Sequence, residues 1–453
     1  EHDQFTPRAI HALSGKPIVA LSKEGFACSM TGDLYQWGKD GIRVKPVVGL
    51  QKSGLSCTAI SNATNGLTCG IISNKHMIES TAQEQQSSNL YVWIQTDFEN
   101  ASERENSLSE DGPNPVLVWP SHSELDFADV SCCESRILTV GSEGGLFELP
   151  LDSARQRKQS TGIFNGAATG DDDLESIIGE ETETVNIETR VEHMYQKYCP
   201  EKLRNNPGFL KKLLSMFEGR EEELLNNLVE KYGPEPTLFE MLGPTGLART
   251  RPSPVPITEK VIACACGGDS RALALTSTGQ VYEWGNAKSG YQSSPKLLKM
   301  QLPEPYPLKS KGLALIVRIA CGKDHAAAIT RGGLLYVWGK GYSGQLGLND
   351  RNDRNVPTLL AFKYPHADRD VVSRVACGDE HTVVITKSGR ACSFGKGSHG
   401  RLGLGDNKDR LAPRWISLTE TLNTSTGAYK VELRAFDVAA GSTSTTILCR
   451  RRC

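Results

Sequence analysis

Apolar and polar residues alternate in short runs along most of this chain, and the runs recur in a fixed order. From Val317 to Leu360 the order is "VRIACG", "HAAAIT", "LLYVWG" and, after a loop rich in Gly, Asn and Asp, "VPTLL". From Ser373 to Ile416 it returns as "SRVACG", "HTVVIT", "ACSFG" and "APRWI". Alternation of this length, rich in β-branched and aromatic residues and bounded by Gly turns, predicts strands. Four short strands per unit predict the blade of a β-propeller. Repetition at roughly 40–50 residues predicts an array of units, none able to bury its apolar face alone.

Weaker copies fill most of the remaining chain. Val261–Asn286 is a third good copy, and Pro17–Val48 a fourth with a shortened turn. Cys57–Trp119 is divergent, its strands separated by polar loops at Ser80–Ser88 and Asp97–Gly112. Phe127–Leu151 is another. The last copy, Phe436–Leu448, has the opening strands but no Trp-Gly strand after them, whereas Phe5–Leu13 resembles a closing strand without its beginning. The pattern therefore predicts an all-β fold, a seven-bladed β-propeller with one blade shared by the two termini. Closure of this kind removes exposed sheet edges.

One segment breaks the pattern. Asp152–Pro256 opens acidic ("GDDDLESIIGEETETV"), a composition that reads as a disordered loop, and then switches to helical spacing. Val191, Met194, Tyr195 and Tyr198 fall on one helical face, as do Leu210, Leu213, Leu214 and Phe217, and then Leu224, Leu225 and Leu228. Pro200 and Pro207 suit first turns, and Gly219 and Gly233 suit helix ends. The Pro-rich return "TRPSPVPIT" reads as extended linker. The expected organisation is residues 1–151 as blades one to three with the N-terminal closing strand, 152–256 as acidic loop and α-helical insertion between blades, and 257–453 as blades four to seven.

Composition narrows the chemistry. A net charge of −2 gives no broad basic field, which argues against nucleic acid or an anionic membrane as the main partner. Arg450, Arg451 and Arg452 are read as a solvated end. No apolar run is long enough to span a bilayer, and the first residues do not resemble a signal peptide. Thirteen cysteines is an odd count, and Cys266, Cys321 and Cys377 recur at one repeat position, so they read as buried thiols in a reducing compartment. Cys264 with Cys266 and Cys132 with Cys133 lack a matching second pair, so no zinc site is expected. The sequons at Asn62, Asn100 and Asn423 read as chance matches.

Several motifs look functional in isolation. "GKGYSG" (Gly339–Gly344) and "GKGSHG" (Gly395–Gly400) both spell G-x-G-x-x-G, but no helix follows to present its amides to a phosphate. They are read as blade turns that need positive φ. His325 and His381 follow Ala-Cys-Gly at the same offset, with Ser270 taken as the corresponding residue of the preceding blade. They are read as blade-to-blade hydrogen-bonding residues. Gly322, Gly378, Trp338, Gly339 and Gly395 join them as structural repeat residues, and Trp37, Trp93 and Trp284 are read as core.

In order, ACG-x-x-H, a T-x-x-G turn, an aromatic-Gly pair and a GQLGLG-type loop resemble the repeats of the regulator of chromosome condensation family. The resemblance is strong from Val261 to Leu418 and weak before Leu151, and it implies the seven-bladed propeller. That family includes exchange factors for Ran-type GTPases, which use one propeller face and a protruding wedge. This chain has no residue-level match to the wedge. The helical segment is similar to a motif scattered through kinetoplastid proteins, flagellar and cytoskeletal ones among them. The matching residues are Tyr195, Tyr198, Pro200, Lys202, Gly219, Arg220, Glu221, Glu222, Leu224, Tyr232, Gly233 and Pro234.

These resemblances imply a non-enzymatic scaffold in the cytoplasm or cytoskeleton, with the flagellum as the favoured setting and the nucleus as the alternative. Its partners would be other proteins of a larger assembly, microtubule-associated ones included, met through Tyr195, Tyr198, Phe209, Phe217, Arg220 and Tyr232; packing of some of the aromatic ones within the segment or onto the propeller is the equal alternative. No catalytic, cofactor or metal residue is expected. Exchange on a Ran-type small GTPase is the alternative function, and substrate recognition within a ubiquitin-type complex is a third.

Overall fold

The computed structural model describes residues 10, 13, 16–23, 25–37, 44–46, 55–63, 67–74, 89–94, 116–117, 127–151, 187–205, 208–217, 219–233, 252–268, 271–285, 294–300, 312, 314–361, 370–424 and 427–451. Each apolar alternation has become a strand, and the strands form seven antiparallel sheets. The first sheet is β1 (Ile18–Leu21), β2 (Phe26–Ser29), β3 (Leu34–Trp37) and β4 (Val44–Pro46). The second is β5 (Leu55–Asn62), β6 (Leu67–Asn74), β7 (Asn89–Ile94) and β8 (Val116–Leu117). The third is β9 (Phe127–Cys133), β10 (Arg136–Gly141), β11 (Leu146–Pro150) and β12 (Ser253–Pro254).

The fourth sheet is β13 (Val261–Gly267), β14 (Arg271–Thr276), β15 (Val281–Gly285) and β16 (Lys296–Leu297). The fifth is β17 (Ile316–Cys321), β18 (His325–Thr330), β19 (Leu335–Gly339) and β20 (Arg354–Leu360). The sixth is β21 (Val372–Cys377), β22 (His381–Thr386), β23 (Ala391–Gly395) and β24 (Arg410–Trp415). The seventh has three strands, β25 (Thr419–Thr424), β26 (Gly427–Ala440) and β27 (Thr445–Arg451).

The second strands β2, β10, β14, β18 and β22 are buried along their whole length, because both of their faces are covered by neighbouring blades. That is why they read as runs such as "RALALT" and "HTVVIT" rather than as one-sided alternation. The cores lie between sheets: Val337 of the fifth and Phe394 of the sixth share one cluster, and Val383 of the sixth shares another with Ala435 of the seventh. The first strand of each of the first six sheets carries a bulge, as does β26 in the seventh, so Val19, Thr58, Ala128, Ile262, Val317, Ser373 and Phe436 are each skipped by the pairing register.

Two placements differ from the sequence reading. The strand "SP" at Ser253–Pro254 pairs with β11, and the Val255 amide continues the pairing to the Leu146 carbonyl at 2.8 Å. The helical segment therefore interrupts the third blade, between its third and fourth strands, rather than lying between blades. Its Pro-rich return hid a strand because Pro can take only an edge position, which β12 is. In the seventh sheet, β25 pairs with the first half of β26 as a hairpin beyond the repeat, while the second half of β26 pairs with β27. Most of the closing strand expected at Phe5–Leu13 lies outside the described residues. Ile10 and Leu13 are described and pack with Leu448 of β27 around Ile18, Ala27 and Trp37, so the two ends of the chain meet.

Contacts divide the chain into Glu1–Glu148 with Pro254–Cys453, and Leu149–Ser253. In the second unit the described helices are α1 (Ile187–Tyr198), α2 (Pro200–Asn205), α3 (Phe209–Met216) and α4 (Glu221–Tyr232). Val191, Met194, Tyr195, Leu224, Leu225 and Leu228 form their core. The acidic stretch expected to be a loop lies outside the described residues. Among the described residues no helix is long and apolar enough to cross a membrane.

Candidate functional site

The turns between first and second strands converge on the propeller axis. Lys23, Ala63, Cys132 to Glu134, Gly267 with Gly268, Lys323, Gly378 with Asp379, and Ala440 to Ser442 line one cavity of about 80 Å³, so all seven blades reach it. Lys23 of the first blade donates to the Cys321 carbonyl at 2.8 Å and the Cys266 carbonyl at 3.3 Å, joining itself to the fifth and fourth blades. This cavity has room for a few waters rather than a substrate.

Close approach around the axis explains the Ala-Cys-Gly glycines. A Cβ on Gly267 would lie 1.9 Å from the Gly322 carbonyl oxygen, one on Gly322 would lie 2.2 Å from that of Gly378, and one on Gly378 would lie 2.4 Å from that of Gly441. Only hydrogen fits there, and each blade leans on the next through this contact. Gly339 and Gly395 have φ of +103° and +106°, where the G-x-G-x-x-G loops leave their strands. No α-helix follows either loop; each is closed on itself, by Asp353 accepting from the Gly341 amide at 3.0 Å and Asp409 from the Gly397 amide at 3.1 Å.

Both repeat histidines are fully buried and link blades. His325 Nε2 lies 2.8 Å from Thr382 Oγ1 of the next blade, and Thr382 donates to the Gln345 carbonyl at 2.7 Å. His381 repeats this with Thr445 at 2.9 Å, and Thr445 donates to the Arg401 carbonyl at 2.8 Å. A hydroxyl has one proton, so each Thr must accept from its histidine, which fixes the neutral tautomer with hydrogen on Nε2. Burial, with Arg271 as the next contributor, pushes His325 down to about 3. Burial and Arg401 push His381 down to about 3.

The preceding blades fill this position differently. Arg271 pairs with Gly285 just as His325 pairs with Gly339 and His381 with Gly395, so Arg271, and not Ser270, is the corresponding residue. A one-residue difference in the turn moves the register; Ser270 itself lies outside the described residues. Arg271 Nε lies 3.4 Å from Glu283 Oε1, which accepts from the indole of Trp338 in the next blade at 3.0 Å. One blade earlier, Arg136 Nη1 lies 3.1 Å from Glu148, which accepts from the Trp284 indole at 2.9 Å. Where histidine replaces arginine, Val337 stands at the glutamate position and Phe394 at the tryptophan position. Changing all three together avoids burying an unpaired charge or an indole N–H without an acceptor.

The cysteines follow the same inter-blade logic. The twelve described cysteines are all free thiols. Burial pushes Cys321 and Cys377 up to about 12. Cys133 is the exception, drawn down to about 6 by a hydrogen bond from Cys266, and by the Arg136 guanidinium, against its burial. Among the described residues no group of three His, Cys, Asp or Glu is placed to hold a metal.

In the helical unit, the residues expected to meet partners meet one another first. Tyr195 is 6% exposed and packs edge-to-face on Phe209 with centroids 5.0 Å apart. Tyr198 stacks on Tyr232 at 6.3 Å, and Lys202 donates to the Tyr232 hydroxyl at 3.2 Å. Phe217 is half-buried against the same core, while Arg220 is exposed, lies over the Phe217 ring and reaches Glu223 at 3.7 Å.

Of the sequence-selected tryptophans, Trp37, Trp284 and Trp338 are buried, whereas the side chain of Trp93 lies outside the described residues. The sequence reading missed Arg136, Arg271, Glu148 and Glu283. A glutamate directly after the aromatic residue of a third strand, Glu148 after Phe147 and Glu283 after Tyr282, was the available signal.

Seven antiparallel sheets whose inner turns share one axial cavity define a seven-bladed β-propeller. The later blades carry repeats of a known type: the family pattern described as "Regulator of chromosome condensation (RCC1) repeat" matches residues 332–385 and 388–448, and a second of the same description matches 316–345 and 372–401. Over 198 residues the chain is 34% identical to the ultraviolet-B receptor UVR8 of Arabidopsis thaliana, covering 42% of this chain and 41% of that protein. It is 34% identical over 166 residues to the probable E3 ubiquitin-protein ligase HERC4 of Homo sapiens, covering 35% of this chain and 14% of that one. The matched region thus spans well under half of either relative. The fold is also that of human WBSCR16 (TM-score 0.55, 15% identity, 96% of this chain and 88% of that one) and of Saccharomyces cerevisiae Prp20p (TM-score 0.55, 15% identity, 99% and 86%).

Proposed function

We propose that this chain is a non-enzymatic scaffold whose propeller and helical unit dock other proteins within a flagellar or cytoskeletal assembly. The observation that carries the reading is where the ionisable side chains go. Arg136, Glu148, Arg271, Glu283, His325 and His381 are spent joining one blade to the next, and the axial cavity is too small for a substrate. What remains for function is surface on a rigid disc. Relatives of the same fold support protein partners: the structural work on Prp20p names binding to Gsp1p and histones, and another structure holds it with Kap60. The flagellar or cytoskeletal setting rests on the likeness of the helical segment to the kinetoplastid motif, and fold alone argues nothing for it.

Proximity labelling from the tagged full chain in its own cells tests this reading, beside a version with residues 152–251 replaced by a short Gly/Ser link. That replacement spares Ser253–Pro254, the fourth strand of the third blade. Enrichment of axonemal or cytoskeletal proteins that falls with the replacement is the expected result. Enrichment of a Ran-type GTPase and nuclear proteins, unchanged by the replacement, would overturn it in favour of nucleotide exchange.

A further inference from the structure

The end of the propeller opposite the axial turns carries a second cavity, of about 200 Å³, between the sixth and seventh blades. Its lining is unlike that of the axial cavity. Arg374, Lys387, Arg434 and Arg450 supply four cations, Ser373, Thr386 and Ser388 supply hydroxyls, and Phe436 supplies an exposed aromatic face. The fold gathers these residues from three distant stretches of chain. Arg374 follows the bulge of β21, and Lys387 and Ser388 form the turn after β22. Arg434 and Phe436 flank Ala435 of β26, and Arg450 lies near the end of β27. Arg434 takes the place that Val371 holds one blade earlier: a Cβ on Gly389 would touch Arg434, and a Cβ on Gly333 would touch Val371. Leu315 holds it two blades earlier and Lys260 three blades earlier, so the position itself varies, and what marks this junction is that Arg434 is joined by Arg374, Lys387 and Arg450.

The counter-charges present do not neutralise it. Asp437 is 3.5 Å from Arg374, and Asp370 accepts from the Ser388 hydroxyl. No described residue forms an ion pair with the side chains of Lys387, Arg434 or Arg450, all three of which are exposed. Arg318 of the fifth blade adds a further cation beside Arg374; its guanidinium is lowered first by burial and then by Arg374. Like charges crowded at a cavity mouth are unfavourable unless an anion joins them.

We propose that this cavity binds an acidic or phosphorylated segment of a partner protein, with the guanidinium groups on the carboxylates or phosphate and Phe436 under an apolar neighbour in the segment. Planar guanidinium forks suit bidentate recognition of carboxylate and phosphate. A nucleic acid is disfavoured because the cations are gathered in one cavity instead of along a track, in a chain of net charge −2. The proposal rests on the scaffold reading and names one of its docking chemistries.

The test is fluorescence anisotropy on the purified full chain, with a labelled peptide of glutamates and phosphoserines around one leucine and a glutamine/serine counterpart. The acidic peptide should bind in a salt-sensitive manner, at least about tenfold tighter than its counterpart. Arg434→Glu with Arg450→Glu should weaken it by about tenfold or more without moving the denaturation midpoint. Arg434→Gln with Arg450→Gln should fall between the two, and Lys211→Glu with Lys212→Glu, on the helical unit, should have no effect. Equal binding of both peptides, equal loss in the Lys211/Lys212 variant, no binding at all, or tighter binding of an oligonucleotide of matched charge would each overturn the proposal. The assay holds no cellular partner, so such a failure removes this site and leaves the scaffold reading to the labelling experiment.

Discussion

Two halves of the propeller solve one packing problem with different chemistry. From the third blade to the fifth, neighbouring blades are joined by buried Arg–Glu pairs capped by the next blade's indole: Arg136, Glu148 and Trp284, then Arg271, Glu283 and Trp338. From the fifth to the seventh they are joined by neutral His–Thr bonds: His325 to Thr382, then His381 to Thr445. The difference teaches that a repeat position constrains the geometry of a contact and leaves its polarity free, provided all partners change together. Removing one member alone would leave a buried charge or polar group without its counterpart.

The comparison is broken hardest at an ionic junction. Glu283→Ala takes the carboxylate from the buried Arg271 guanidinium and should cost about 3–5 kcal/mol in urea unfolding. Converting the whole set to the other type, with Arg271→His, Glu283→Val, Trp338→Phe and Ala326→Thr at the position matching Thr382, should recover most of that loss. A quadruple variant as unstable as Glu283→Ala would show that the two junction types are not interchangeable.

Acid should strike the other half. The folded-state values of His325 and His381 lie near 3, below the ordinary histidine value of 6.5, so between these limits the unfolded chain binds the extra protons. Stability is therefore fully present above pH 6.5 and falls with pH, by about 1 kcal/mol per unit for each histidine. Unfolding measured from pH 7 to 5 should show this slope, and His325→Gln with His381→Gln should flatten it. An unchanged slope would assign the acid sensitivity to other groups.

Smaller changes refine the contrast. Thr382→Val keeps shape but deprives the His325 N–H and the Gln345 carbonyl of their shared hydroxyl, and about 1–3 kcal/mol should be lost. Trp338→Phe removes one indole N–H from Glu283, which keeps Arg271, so about 1 kcal/mol is expected. If Trp338→Phe proves costlier than Thr382→Val, then packing of the indole outweighs its hydrogen bond.

Legibility followed the same division. His325 and His381 were readable as blade-linking residues because they recur beside Ala-Cys-Gly. Arg271 was not, since one extra residue in its turn placed Ser270 at the matching offset. The helical core was readable from the spacing of Val191, Met194, Leu224 and Leu228. Internal packing of Tyr195, Tyr198, Phe209 and Tyr232 was one of two readings, and the choice between it and partner contact was not legible, because spacing shows which face is apolar and says nothing of what covers it. Ser253–Pro254 escaped notice because a two-residue edge strand rich in proline has no period to read.

The sequence by itself determined the repeating strands, the repeat and the number of blades, because alternation and Gly turns are local and each blade restates them. Tertiary structure decided how blades are joined, where the helical segment enters and which basic residues share a cavity. Those outcomes depend on side chains tens to hundreds of residues apart. Arg136 must find Glu148 and then Trp284, and Arg374 must meet Arg434 and Arg450, only after the sheets close around a common axis.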